Sequence, residues 1–197
     1  ILLLTGMPLA FVTLLVALIF ALGWFGPTAV PLITSRIFTF VNSFVFVSVP
    51  MFVLMAGILD RSGIARDLFD AMRLFGGKLR GGVAIQTLFV AVILAAMSGI
   101  IGGEVVLLGM MALPQMLRLG YDRKLAIGVC CAGGALGTMI PPSIVLIIYG
   151  LTANVSIGDL FTASFVPGLM LASFYIAYVL FRSYSNPAIA PVVDYAE

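Results

Sequence analysis

Six stretches of this chain carry no charged residue: positions 1–35, 37–59, 81–103, 105–117, 125–158 and 160–181. Several of them reach the roughly 20 apolar residues that an α-helix needs to cross the hydrocarbon core of a bilayer. With 62% hydrophobic and 9% charged residues and a mean hydropathy of +1.24, the chain lies far outside the range of soluble domains. A membrane β-barrel is excluded as well, because its strands alternate polar with apolar residues and these runs do not. The fold class that remains is an all-α polytopic membrane protein.

The few ionisable residues bound the function. The 10 basic residues are scattered over loops, so no nucleic-acid partner is expected. The absence of histidine removes a histidine proton relay and a histidine metal cluster. Cys130 and Cys131 are adjacent, mid-segment and without partners at metal spacing, which suits a buried pair of small apolar side chains. The chain opens on Ile and closes on the polar stretch "RSYSNPAIAPVVDYAE", as expected of a fragment cut at a linker.

Residues 1–60 read as transmembrane helices. A first span covers 1–24, with Trp24 at an expected interface. An uncharged turn follows at 26–35, then a second span from Arg36 to Leu59 kinked at Pro50. Residues 61–80 read as an amphipathic helix lying in the interface, with Ile64, Leu68, Phe69, Met72 and Phe75 on one face. Arg66, Asp67, Asp70 and Arg73 occupy the other face; Ser62 would cap the start, and Gly76 with Gly77 the end. A helix packed on protein remains the alternative.

Five basic residues between 61 and 80, and the cluster Arg118, Arg123 and Lys124, place both flanks of segment 81–117 on the cytoplasmic side. Its arms, 81–97 and 103–117, are short for full spans and meet at "SGIIGGE". The segment therefore reads as a re-entrant helical hairpin, with two tightly connected spans as the alternative. Residues 118–151 hold a helix broken at "GTMIPPS", 152–163 a short interfacial helix capped by Ser156, 164–182 a return span, and 183–197 a cytoplasmic linker. Pro141 and Pro142 lack backbone donors and would free carbonyls near Gly137 and Thr138. Broken helices in secondary transporters use such carbonyls to coordinate sodium; a kink used only for packing is the competing account.

Several motifs in chain order, "TGMPLAF", "VPMFVLMAGILDRSGIARDL", "AAMSG", "LPQMLRLGYDRKLAIGV", "GTMIPPSIVLIIYG" and "SIGDLFTASFVPGL", together resemble the large membrane subunit of tripartite ATP-independent periplasmic (TRAP) transporters. GTMIPPS is the most specific of them. The resemblance implies a sodium-driven importer of carboxylate-bearing solutes in the bacterial inner membrane, not an enzyme. It implies an elevator-type protein with an inverted repeat, of which this chain would be the first half. Its implied partners are a small membrane (Q) subunit, a periplasmic substrate-binding protein and membrane lipid, with sodium as coupling ion and no other cofactor.

Carried over residue by residue, the family pattern implies a sodium site at Ser98, Gly99, Gly137, Met139 and Pro141, and a substrate cavity near Ser143 and Ile100. Thr138 and Pro142 would shape that site. Many members continue the hairpin tip as Ser-Gly-Ser-Ser, whereas Ile100 and Ile101 follow Gly99 here, which puts the substrate class in question. Glu104 is an acidic residue inside an apolar segment and thus a functional candidate. It could hold the cation or cap the second hairpin arm. A membrane-embedded enzyme and a purely structural membrane subunit are the alternative functions.

Overall fold

The computed structural model describes residues 6–76, 79–99 and 103–192, and every regular element among them is helical. The chain divides into two compact units, Ile1–Phe46 and Val47–Glu197.

In the first unit, α1 (Leu9–Phe25) and α2 (Ala29–Val41) are joined by a 3-10 turn at Gly26–Thr28. Together they form a continuous apolar run of 33 residues, Leu9–Val41, long enough to cross a membrane. The stretch 26–35 is therefore helical rather than a turn between spans. Pro27 opens the 3-10 turn, and Pro31 falls in the first turn of α2. A proline near a helix start gives up an amide that has little use there. Trp24, 85% exposed, thus stands within the run and not at its end. The helix ends at Asn42, whose side-chain amide donates to the Phe38 carbonyl at 3.1 Å.

The second expected span is likewise interrupted at Asn42 and Ser43 instead of being kinked at Pro50. Pro50 lies in the first turn of α3 (Ser48–Ser62), another position that tolerates the missing amide. Gly63, at φ 81°, ends α3 in the left-handed conformation that glycine adopts without penalty. The chain axis then turns by 61° into α4 (Ile64–Gly76). Ser62 Oγ accepts the Ile64 amide at 3.3 Å, linking the two helices.

Helix α4 lays Ala65 and Phe69 into the core, with Leu68 and Met72 half-buried beside them, against α5 (Gly82–Ser98). Gln86 of α5 donates to the Phe69 carbonyl at 2.6 Å. Ile64, expected on the apolar face, is 42% exposed, because Ala65 takes the inward place.

Helices α5 and α6 (Gly103–Arg118) form a hairpin packed on α7 (Arg123–Ala135). At 17 residues α5 is about 25 Å long, short of the ~30 Å hydrocarbon core. Close packing of α6 with α7 depends on glycine. A Cβ on Gly134 would meet the Val105 backbone nitrogen and Cα at 2.8 Å; on the α5 side of α7, one on Gly133 would meet the Ala91 methyl at 2.9 Å. Only Cys130 of the cysteine pair is buried; Cys131 is exposed.

Helix α7 gives way to a 3-10 turn at Leu136–Thr138, a non-helical segment through Ser143, and then α8 (Ile144–Ala153). After a turn closed by left-handed Asn154, a single helix α9 (Ile157–Ser185, 29 residues) replaces the separate elements expected at 152–163 and 164–182. Ser156 does cap it, accepting the Asp159 amide. No helix breaker stands at the expected boundary between Ala163 and Ser164, and Pro167, just beyond it, is an isolated proline of the kind tolerated inside a membrane helix.

The start of α5 and the ends of α6 and α9 converge. A Cβ on Gly81 would run into Ser183 of α9, and the Tyr121 hydroxyl accepts the Val83 amide at 3.3 Å. Asp122 caps α7 by accepting the Lys124 and Leu125 amides, while its own amide donates to the Ile189 carbonyl at 2.8 Å. The expected linker is thus helical to Ser185 and then folds back on this end, burying Ala190.

Candidate functional site

The hairpin tip and the helix break touch, although Gly99 and Pro142 are 43 residues apart in sequence. Gly99 ends α5 with φ +59°, and a Cβ there would overlap the Pro142 carbonyl oxygen and lie 3.0 Å from its carbon and 3.4 Å from Ser143 Cα. Only glycine satisfies both the backbone angle and the approach. The Gly99 carbonyl accepts the Ile144 amide at 3.4 Å, so the tip is tied to the first residue of α8.

Within the break, the Leu136 carbonyl accepts both the Met139 amide, at 3.0 Å, and the Ile140 amide, at 2.9 Å. The prolines leave the next two carbonyls without their usual amide donors, at Pro141 for Gly137 and at Pro142 for Thr138. They meet different fates. Ser143, fully buried, turns its hydroxyl back to donate to the Thr138 carbonyl at 3.0 Å. No described residue donates to the Gly137 carbonyl.

Glu104, in the first turn of α6, is 4% exposed. Ser98 Oγ donates to its Oε1, whereas Oε2 has no hydrogen-bond partner among the described residues. The carboxylate lies against Gly137: a Cβ there would be 2.7 Å from Oε2 and 2.9 Å from Oε1. Among the described residues, Ser98 and Glu104 are the two polar side chains lining an otherwise apolar cavity of about 260 Å³, bounded by Val53 of α3, Ala65 of α4, Leu94 of α5 and Leu107 of α6.

The structure therefore brings Ser98, Gly99, Glu104, Gly137, Thr138, Pro142 and Ser143 into one junction. Met139 and Pro141 lie in the same break, half-buried. Ile100, the other substrate-cavity candidate, lies outside the described residues. Sequence reading passed over Gly168 of α9, where a Cβ would sit 3.1 Å from the Ile140 side chain and 3.4 Å from the Met139 carbonyl oxygen. The adjacent Pro167 was its available signal, since prolines mark positions where helix backbone departs from regularity.

A tight junction between a helical hairpin and a proline-broken helix is a secondary-transporter arrangement. Residues 1–193 match the family model described as the DctM component of the tripartite ATP-independent periplasmic transporter. The chain belongs to this family. Among DctM-type relatives, it is 33% identical over 170 residues to the C4-dicarboxylate TRAP transporter large permease protein of Pseudomonas aeruginosa, covering 85% of this chain and 40% of that protein. It is 36% identical over 132 residues to the ectoine TRAP transporter large permease protein of Halomonas elongata, covering 67% of this chain and 31% of that protein. It is also 32% identical over 153 residues to the isethionate TRAP transporter permease protein of Oleidesulfovibrio alaskensis, covering 78% of this chain and 24% of that protein. The chain thus spans less than half the length of these DctM relatives. They are transport permeases, and the substrates in their names differ.

Proposed function

We propose that this chain is part of a sodium-coupled secondary transporter that imports a small carboxylate-bearing solute across the bacterial inner membrane. A periplasmic binding protein delivers the solute, and a small membrane subunit assembles beside the chain. The observation that carries this reading is the packing of Gly99 on Pro142 and Ser143, which joins two interrupted helices at one point. Carbonyl oxygens released from helical bonding are suitable sodium ligands. In this reading Ser98, Gly99, Gly137, Met139 and Pro141 surround the ion.

The solute binds next to it, near Ser143 and Ile100. Support for an anionic group comes from α8, which begins at Ile144 and presents the positive end of its dipole to the junction. Carboxylate is favoured over other anions by the C4-dicarboxylate relatives, although the isethionate and ectoine permeases show how far names diverge within the family. Orientation follows from charge. Arg80, Arg118, Arg123, Lys124 and Arg182 gather where α5 begins and α6 and α9 end, so that side faces the cytoplasm and the hairpin enters from there as a re-entrant element. Transport then proceeds by an elevator movement of the hairpin and broken helix, with an inverted copy of both in the remaining length of the full transporter.

The test is uptake into proteoliposomes containing the full-length transporter with its small subunit and binding protein. An inward sodium gradient should drive accumulation, and a potassium gradient of equal ionic strength should not. Equal uptake under both would overturn sodium coupling.

A further inference from the structure

We propose that the Glu104 carboxylate is itself a ligand for the coupling cation, a small monovalent ion held between the hairpin tip and the broken helix; this inference rests on the sodium-coupled reading above. A carboxylate taken out of water is costly unless its charge is met by hydrogen bonds or an opposite charge. Glu104 is almost fully buried, and its one hydrogen-bond donor among the described residues is Ser98 Oγ, on Oε1. Oε2 has none. No ion pair with a described Lys or Arg relieves it.

Capping of α6 does not account for the side chain. The carboxylate accepts no amide from the first turn of its own helix and turns instead toward Ser98 and Gly137. It reaches the residue whose carbonyl lost its donor to Pro141. Three oxygens of the kinds that hard cations prefer thus come from neighbouring residues of this junction: a carboxylate, a hydroxyl and a backbone carbonyl. Ser98 contributes doubly, because a hydroxyl that donates to Oε1 keeps its lone pairs for a cation. Gly137 must lack a side chain for the carboxylate to come this close.

The experiment compares the wild-type full-length transporter with Glu104→Gln, Glu104→Asp and Gly137→Ala. Each is titrated with sodium chloride against potassium chloride, following thermal stability and substrate uptake. Gln preserves the Oε1 acceptor for Ser98 but points an amide NH2 where Oε2 lies. Glu104→Gln should therefore melt near wild type without sodium, while its half-saturating sodium concentration rises a hundredfold or more. Glu104→Asp keeps the charge and should recover part of the affinity. Gly137→Ala displaces the carboxylate and should raise half-saturation at least tenfold. A carboxyl that is protonated and neutral in the working protein would behave as glutamine does, so a wild-type sodium titration for Glu104→Gln overturns the proposal. Should that variant fail to fold, unchanged sodium affinity in Gly137→Ala overturns it equally. A wild-type protein with no sodium-specific response would instead overturn the sodium-coupled reading itself, and this inference with it.

Discussion

Two glycines in the hairpin turn make opposite demands on substitution, and the contrast isolates what the tip does. Gly99 holds φ +59° directly against the Pro142 carbonyl, whereas a Cβ on Gly103 would meet nothing within 4 Å. Gly99→Ala adds left-handed strain of about 1–2 kcal/mol and a backbone overlap that only retreat of the tip can relieve. Gly103→Ala lies at a helix start in open space and should be neutral or slightly stabilising. Thermal denaturation should thus show a clear loss for Gly99→Ala and none for Gly103→Ala, with transport following the same order. Equal effects would mean that the tip is not held by Pro142. At this scale the sequence was informative about which residues matter but not about their partners. The prolines announce two freed carbonyls; that Ser143 occupies the one at Thr138 and leaves the one at Gly137 depends on a rotamer and a turn that no spacing rule encodes. The direction of Glu104, toward the junction and away from its own helix, was hidden for the same reason.

Among elements, legibility followed the strength of local punctuation. The hairpin arms end at glycines and the amphipathic helix at Gly63 and Gly76, so their limits in sequence and structure lie close together. Proline was the unreliable signal. Pro31 and Pro50 sit in first turns and interrupt nothing, and Pro27 lies in the 3-10 turn that joins α1 to α2, while the polar Asn42 ends a helix. Pro167 lies inside α9, whereas Pro141 and Pro142, adjacent and flanked by the tip, break a helix completely. The hairpin model makes a prediction at this scale, in a background with Cys130 and Cys131 replaced by alanine. Single cysteines at Arg80 and Arg123 should react with an impermeant maleimide only from the cytoplasmic side, and a cysteine at Asn154 only from the periplasmic side. Reaction of the Arg80 and Arg123 positions from opposite sides would make α5–α6 something other than a hairpin entering and leaving by one face.

For the molecule as a whole, membership of the family follows from the match over residues 1–193, and the all-α membrane fold was written in the charge-free runs. What composition could not convey is that two breaks distant in sequence meet at one junction, because that is a property of packing: Gly99 on Pro142, Glu104 on Gly137 and Gly134 on Val105. The central claim is that the break exists to leave the Gly137 carbonyl available to the coupling ion. The most direct measurement is the half-saturating sodium concentration for uptake in Pro141→Ala compared with Pro142→Ala, each in the full transporter in proteoliposomes. Pro141→Ala returns an amide to the Gly137 carbonyl, while Pro142→Ala returns one only to the Thr138 carbonyl that Ser143 already occupies. The account predicts that Pro141→Ala raises half-saturation tenfold or more and that Pro142→Ala changes it severalfold less. Wild-type sodium dependence in Pro141→Ala would contradict the account and leave the break as a packing kink.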